Sequence, residues 1–120
     1  MLLTVSINRM RLTAYHGLLP QERIVGNDFD VSVSVDIRAG EEALRSDSLD
    51  SSVSYADLSD IVRHVMLTPC DLLETVADNM RRAIVERFPC IVGGCVTIEK
   101  LTPPIPSSRM ESASVTLRWP

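Results

Sequence analysis

Polar and apolar residues alternate over residues 29–37. Phe29, Val31, Val33, Val35 and Ile37 share one parity and Asp30, Ser32, Ser34 and Asp36 the other, which is the period of a strand buried on one face. The N-terminal stretch behaves alike at Leu3, Val5 and Ile7, but its apolar phase then moves to Met10 and Leu12. One inserted residue near Asn8 and Arg9 accounts for that shift and predicts a bulged strand. Residues 15–28 between the two strands are too many for a tight hairpin and form a candidate functional loop. After Gly40 the period lengthens. Ser54 followed by Asp57 resembles a capping box, and Leu58, Ile61, Val62, Val65 and Met66 then fall on one helical stripe. A second helix is expected from Asp71, with Leu72, Leu73, Val76, Ala77, Met80, Ile84 and Phe88 inward, until Pro89 stops it. Two strands follow. Val96, Ile98 and Lys100 alternate with Cys95, Thr97 and Glu99, then Ala113, Val115, Leu117 and Trp119 with Ser112, Ser114, Thr116 and Arg118.

The order strand, strand, helix, helix, strand, strand predicts an α+β fold in which both helices cover the apolar face of one antiparallel sheet. The other face carries Ser32, Ser34, Thr97, Ser112, Ser114 and Thr116 in place of long charged side chains. The inside of a ring or a second sheet edge would select such small polar groups; a serine-rich solvent surface is the plain alternative.

A chain of 120 residues, 45% of them apolar, suits one domain over residues 1–120. The net charge of −4 argues against nucleic-acid binding. Without a signal-like or membrane-length apolar segment, a soluble cytoplasmic protein is expected. Cys70, Cys90 and Cys95 form no Cys-x-x-Cys pair and are expected to be buried free thiols. His16 and His64 lie in no His-x-His pair or Cys-His cluster, so no metal site is expected. His64 should be exposed and His16 should shape the turn it occupies.

Five fragments carry a resemblance: Tyr15-His16-Gly17 with Glu22 and Gly26, Ser46-Asp47, Val53-Ser54-Tyr55, Leu72-Leu73-Glu74, and Lys100 followed by Pro103-Pro104-Ile105-Pro106. In this order and spacing the chain resembles the dihydroneopterin aldolase family over nearly its whole length. Asn27 stands where many members carry Gln, and Ser107 where Gly often follows the prolines. The resemblance implies the tunnelling fold, in which four sheets join edge to edge into a barrel and two rings stack as an octamer. It also implies active sites between subunits, a dihydropterin substrate, and neither metal nor organic cofactor.

Each candidate residue has a plainer role beside the one the resemblance implies. Glu74, three residues after Asp71, can complete a capping box; the resemblance makes it the pterin anchor, accepting two N–H groups side by side, assisted by backbone groups near Leu73 and Val53. Lys100 can be a lysine whose stem lies on apolar surface with its ammonium at the rim. Desolvated, such a group also serves as a proton carrier, and the resemblance makes it the general acid/base near N5 of the pterin, without a Schiff base. Tyr55 can pack against the sheet edge; the resemblance has it relay a proton from a neighbouring subunit. Glu22 alone reads as a solvated charge; the resemblance has it orient the side-chain hydroxyls and a water. The rivals are an epimerase of the triphosphate form, for which Arg23 and Arg109 are the available loop cations, and a catalytically silent ring-forming binder, which would be expected to lack Lys100 or Tyr55.

Overall fold

The computed structural model describes residues 1–106 and 109–120; Ser107 lies outside the described residues. Four strands, β1 (Leu2–Ala14), β2 (Asn27–Arg38), β3 (Ile91–Lys100) and β4 (Ala113–Trp119), form one antiparallel sheet in that order. The helices α1 (Pro20–Val25), α2 (Glu41–Arg45), α3 (Tyr55–Met66) and α4 (Leu73–Arg87) lie between them, with a 3₁₀ turn at Leu49–Ser51. This is the α+β arrangement expected from the periodicity, with α3 and α4 as its two main helices.

The phase shift in the first strand has its predicted cause. Ile7 pairs with Val33 and Met10 with Val31, so Asn8 and Arg9 together oppose Ser32. Arg9 takes a positive φ of 56°, and its N–H donates to Ser32 Oγ at 3.0 Å. The bulge returns Met10 and Leu12 to the inner face, where they pair across to Val31 and Phe29.

Leu58, Val62 and Met66 of α3 and Val76, Ala77, Met80 and Ile84 of α4 are buried against Phe29, Val31, Val33, Val35, Val96 and Ile98. Ser54 caps α3 by accepting the Asp57 N–H at 3.3 Å. The start of α4 differs from expectation. Leu72, with no polar side-chain atom, is its N-cap and makes no capping bond, while the Asp71 carboxylate lies against Arg23 at 2.5 Å. Strand β3 begins at Ile91, earlier than its alternation suggested. Gly93 and Gly94 leave that stretch without side-chain periodicity, and a Cβ on Gly94 would collide with the Trp119 indole.

On the face away from α3 and α4, hydroxyl groups pair across strands, Ser6 with Ser34 at 3.1 Å and Thr97 with Thr116 at 3.0 Å. Charged groups also occupy it, since Arg11 Nε donates to Asp30 at 2.6 Å and Ser112 donates to Glu99 at 2.6 Å. The guanidinium bond from Arg11 holds the Asp30 carboxyl below its ordinary pKa. The thiols correct another expectation. Cys90 is exposed, and Cys70 and Cys95 are only half-buried, although all three are free. Among the described residues no helix is long and apolar enough to cross a membrane.

Candidate active site

Pro20 opens α1 with its φ already set for a helix, and Glu22 two residues on turns its side chain back toward the helix start. Glu22 Oε1 accepts the Leu19 N–H at 3.2 Å, while Oε2 accepts from Lys100 Nζ at 2.6 Å. The solvated-charge reading of Glu22 therefore fails. Its side chain is 8% exposed and that of Lys100 is 12% exposed, although 78 residues separate them. Lys100 ends β3 on the inner face, opposite Phe29 of β2. Its stem is covered and its ammonium sits 5.9 Å from the Phe29 ring centroid, within cation–π range.

Gly17 is the reason the pair can form. Its φ is +150°, and a Cβ there would overlap the Glu22 carboxylate. Only glycine lets the backbone pass so close. The sequence shows Gly17 only as part of the Tyr15-His16-Gly17 fragment, since the close approach exists only in three dimensions.

The pair lies on one wall of a cavity of about 330 Å³. Leu72, Leu73 and Glu74 at the start of α4 form another, with Pro104 and Val115 also lining it. Glu74 is exposed and makes no capping bond, so its carboxylate is not committed to the helix end. Val53 and Tyr55 do not line this cavity. Val53 is buried in the core, whereas Tyr55 is 71% exposed at the first residue of α3, beside Leu49, Ser54 and Ala56.

His16 is fully buried, edge-on to Phe29 with ring centroids 5.5 Å apart. Its Nδ1 accepts the Cys70 N–H at 3.1 Å, which places the proton of the neutral ring on Nε2. Among the described residues Nε2 has no partner. Burial, and then the positive charges of Arg23 and Lys100, push the His16 pKa down to about 4. An unfolded chain takes up this proton near 6.5, so the contribution of His16 is complete above that pH and lost as pH falls toward 4. Lowering the pH from 7 to 4.5 should therefore remove about 2 kcal/mol more unfolding free energy from wild type than from His16→Asn, measured by denaturant unfolding at one protein concentration. Parallel losses in the two proteins would contradict it.

Arg23, weighed as a phosphate cation, is engaged elsewhere: Nε donates to Gly17 O at 3.3 Å and its terminal nitrogen to Asp71. Asn27, the departure beside Gly26, exchanges hydrogen bonds with Thr102, donating to its carbonyl at 2.7 Å and accepting from its hydroxyl at 2.6 Å. That reciprocal pair holds the start of the proline-rich loop beside Glu22. His64 is exposed. Among the described residues no three His, Cys, Asp or Glu side chains gather as a metal site would require.

A basic and an acidic side chain in contact at one wall of a cavity, with an uncommitted carboxylate on another, have the chemistry to exchange protons with a small polar molecule. The dihydroneopterin aldolase (FolB) family profile matches residues 5–118. A dihydroneopterin aldolase of Methylorubrum extorquens is 33% identical over 104 residues, covering 86% of this chain and 79% of its own. The fold is shared with a crystal structure from Vibrio cholerae given the same family name, with a TM-score of 0.84 at 18% identity, covering 97% of this chain and 95% of that one. It is also shared with Escherichia coli dihydroneopterin aldolase in complex with neopterin, with a TM-score of 0.82 at 20% identity and 98% of each chain covered. The chain belongs to the dihydroneopterin aldolase family, lyases of the folate and pterin pathway.

Proposed function

We propose that the cavity binds 7,8-dihydroneopterin and cleaves its side chain to 6-hydroxymethyl-7,8-dihydropterin and glycolaldehyde, in the cytoplasm, without metal or Schiff base. The observation that carries this reading is the sequestered Lys100–Glu22 pair sharing a cavity with Glu74. Glu74 accepts the ring N–H and the exocyclic amino group, with backbone groups near Leu73 beside it. Glu22 orients the side-chain hydroxyls and a water. As the C2′ hydroxyl gives its proton through that water to Lys100, its carbon becomes the aldehyde of glycolaldehyde and the C1′–C2′ bond breaks. The electron pair moves into the ring's N5=C6 imine, which is protonated at N5 by Lys100. Tyr55 then delivers a proton to the enamine carbon C1′, N5 gives up its proton through Lys100 and the water to the tyrosinate, and the imine re-forms.

Tyr55 and Val53 lie outside the Lys100 cavity of their own chain, which supports a site completed by a neighbouring subunit. In that assembly the sheets join edge to edge into a ring, with β1 and β4 as the available edges, and rings pair into an octamer. The likeness to an E. coli relative solved with neopterin favours the same ligand class here.

Incubation with 7,8-dihydroneopterin and quantification of glycolaldehyde tests the proposal. Inversion of a side-chain hydroxyl without glycolaldehyde would point to the epimerase instead. Because the electron sink belongs to the substrate, chelators should leave turnover unchanged and borohydride should trap no lysine adduct. A substrate-dependent mass increase at Lys100 would overturn the assignment of proton transfer.

A further inference from the structure

The two catalytic walls belong to different parts of the chain, and a small set of polar contacts joins them. Glu22 sits on α1, which follows the Tyr15-His16-Gly17 turn; Glu74 sits on α4, which follows the non-helical connection at residues 68–72. Cys70 uses both backbone groups on that turn. Its carbonyl accepts the Gly17 N–H at 2.9 Å, and its N–H donates to His16 Nδ1 at 3.1 Å. One residue further, Asp71 takes the Arg23 guanidinium at 2.5 Å, while Arg23 Nε donates to Gly17 O at 3.3 Å. We propose that His16, assisted by Arg23 and Asp71, is a positioning residue that sets the spacing between the Lys100–Glu22 pair and Glu74, and so lets one pterin engage both walls.

His16 is the stronger half of this staple. It is fully buried, and a leucine there would leave the part-buried Cys70 N–H without an acceptor. The Arg23–Asp71 pair is more exposed, with side chains 38% and 67% accessible, so it contributes less. The neutral imidazole is the required form, since protonated Nδ1 would face another donor.

The inference rests on the aldolase reading of the site, and two ligands separate the consequences. A pterin without the C6 side chain is held by Glu74 and meets the other wall only where N5 faces Lys100, whereas neopterin also places its side-chain hydroxyls at Glu22 and so depends more on the spacing of the two walls. In His16→Leu the neopterin Kd should rise about tenfold, while the Kd of the side-chain-free pterin stays within about twofold of wild type. Misplacement of the reacting groups should lower kcat by about a hundredfold. His16→Asn can present Oδ1 where Nδ1 stood and should restore both quantities to within about threefold of wild type.

Parallel weakening of the two ligands, unchanged behaviour, or an asparagine variant as impaired as the leucine one would overturn the proposal. Should His16→Leu fail to fold, Arg23→Gln must show the same selective loss at about two- to threefold; equal or absent losses overturn it too. Lys100→Ala tells this outcome from failure of the underlying reading. If that variant is inactive while His16→Leu keeps the wild-type ligand ratio, only the staple is wrong; if it turns over normally, the aldolase site itself is misassigned.

Discussion

Lys100→Ala and Tyr55→Phe should each assemble normally and lose about 10²- to 10⁴-fold in kcat, the range for removing a positioned proton-transfer group. Mixed after dissociation and reassembly, the two inactive proteins should regain activity. The reason is the separation of the residues within one chain: Lys100 lies in the cavity with Glu22 and Glu74, and Tyr55 projects at 71% exposure from the start of α3, outside that cavity. In the proposed ring, a site is intact only when its lysine side comes from a Tyr55 variant and its tyrosine side from a Lys100 variant. Two independent half-chances leave about one quarter of sites complete. Mixing without dissociation should restore nothing. If exchanged rings, verified by mass spectrometry, stay inactive, then the two groups act from one chain or their roles are wrong.

Elements of the fold were legible wherever apolar periodicity was unbroken. The bulge at Asn8 and Arg9 showed as a change of phase, β2 as five inward residues of one parity, and α3 as a stripe with a serine cap. Three features were not legible, because local pattern is too short there or is overridden by a long-range contact. The six residues of α1 are too few for a helical period, and nothing near Glu22 in sequence indicates a partner 78 residues away. Asp71 has the chemistry of an N-cap, but Arg23 draws its carboxylate aside. His16 could be assigned to a turn, yet its bond to the Cys70 N–H spans 54 residues and defines a neutral buried imidazole that no local signal encodes.

The candidate site divides along the same line. Lys100 could be placed on the inner face from alternation alone, and its covered stem agrees with that parity. Nothing in the alternation specifies that its ammonium meets a carboxylate, nor that Gly17 must lack a Cβ for the contact to exist. The small hydroxyls on the outer face were visible one by one, but their pairing followed only from register. That face proved more charged than its serines suggested, with Asp30 held by Arg11.

Glu74→Gln should separate the anchoring role of this residue from a helix-capping one. Glu74 is the second residue of α4, exposed, and its helix has Leu72 as N-cap, without a side-chain cap. Replacing the carboxylate therefore removes only its favourable interaction with the positive end of the helix, about 0.3 to 1 kcal/mol of stability. The effect on ligand should be larger. A glutamine presents one acceptor and one amine where the pterin edge offers two donors, so one N–H meets another N–H. Losing a charge-assisted pair and leaving a mismatched polar edge should cost about 2 to 4 kcal/mol, which raises Kd roughly thirty- to a thousandfold. Calorimetric titration with neopterin, alongside thermal unfolding of the same preparation, measures both numbers. If neopterin affinity is kept while the melting temperature falls by the equivalent of about 1 kcal/mol, a typical lost cap, then Glu74 serves the helix and the anchor must be sought elsewhere along the cavity.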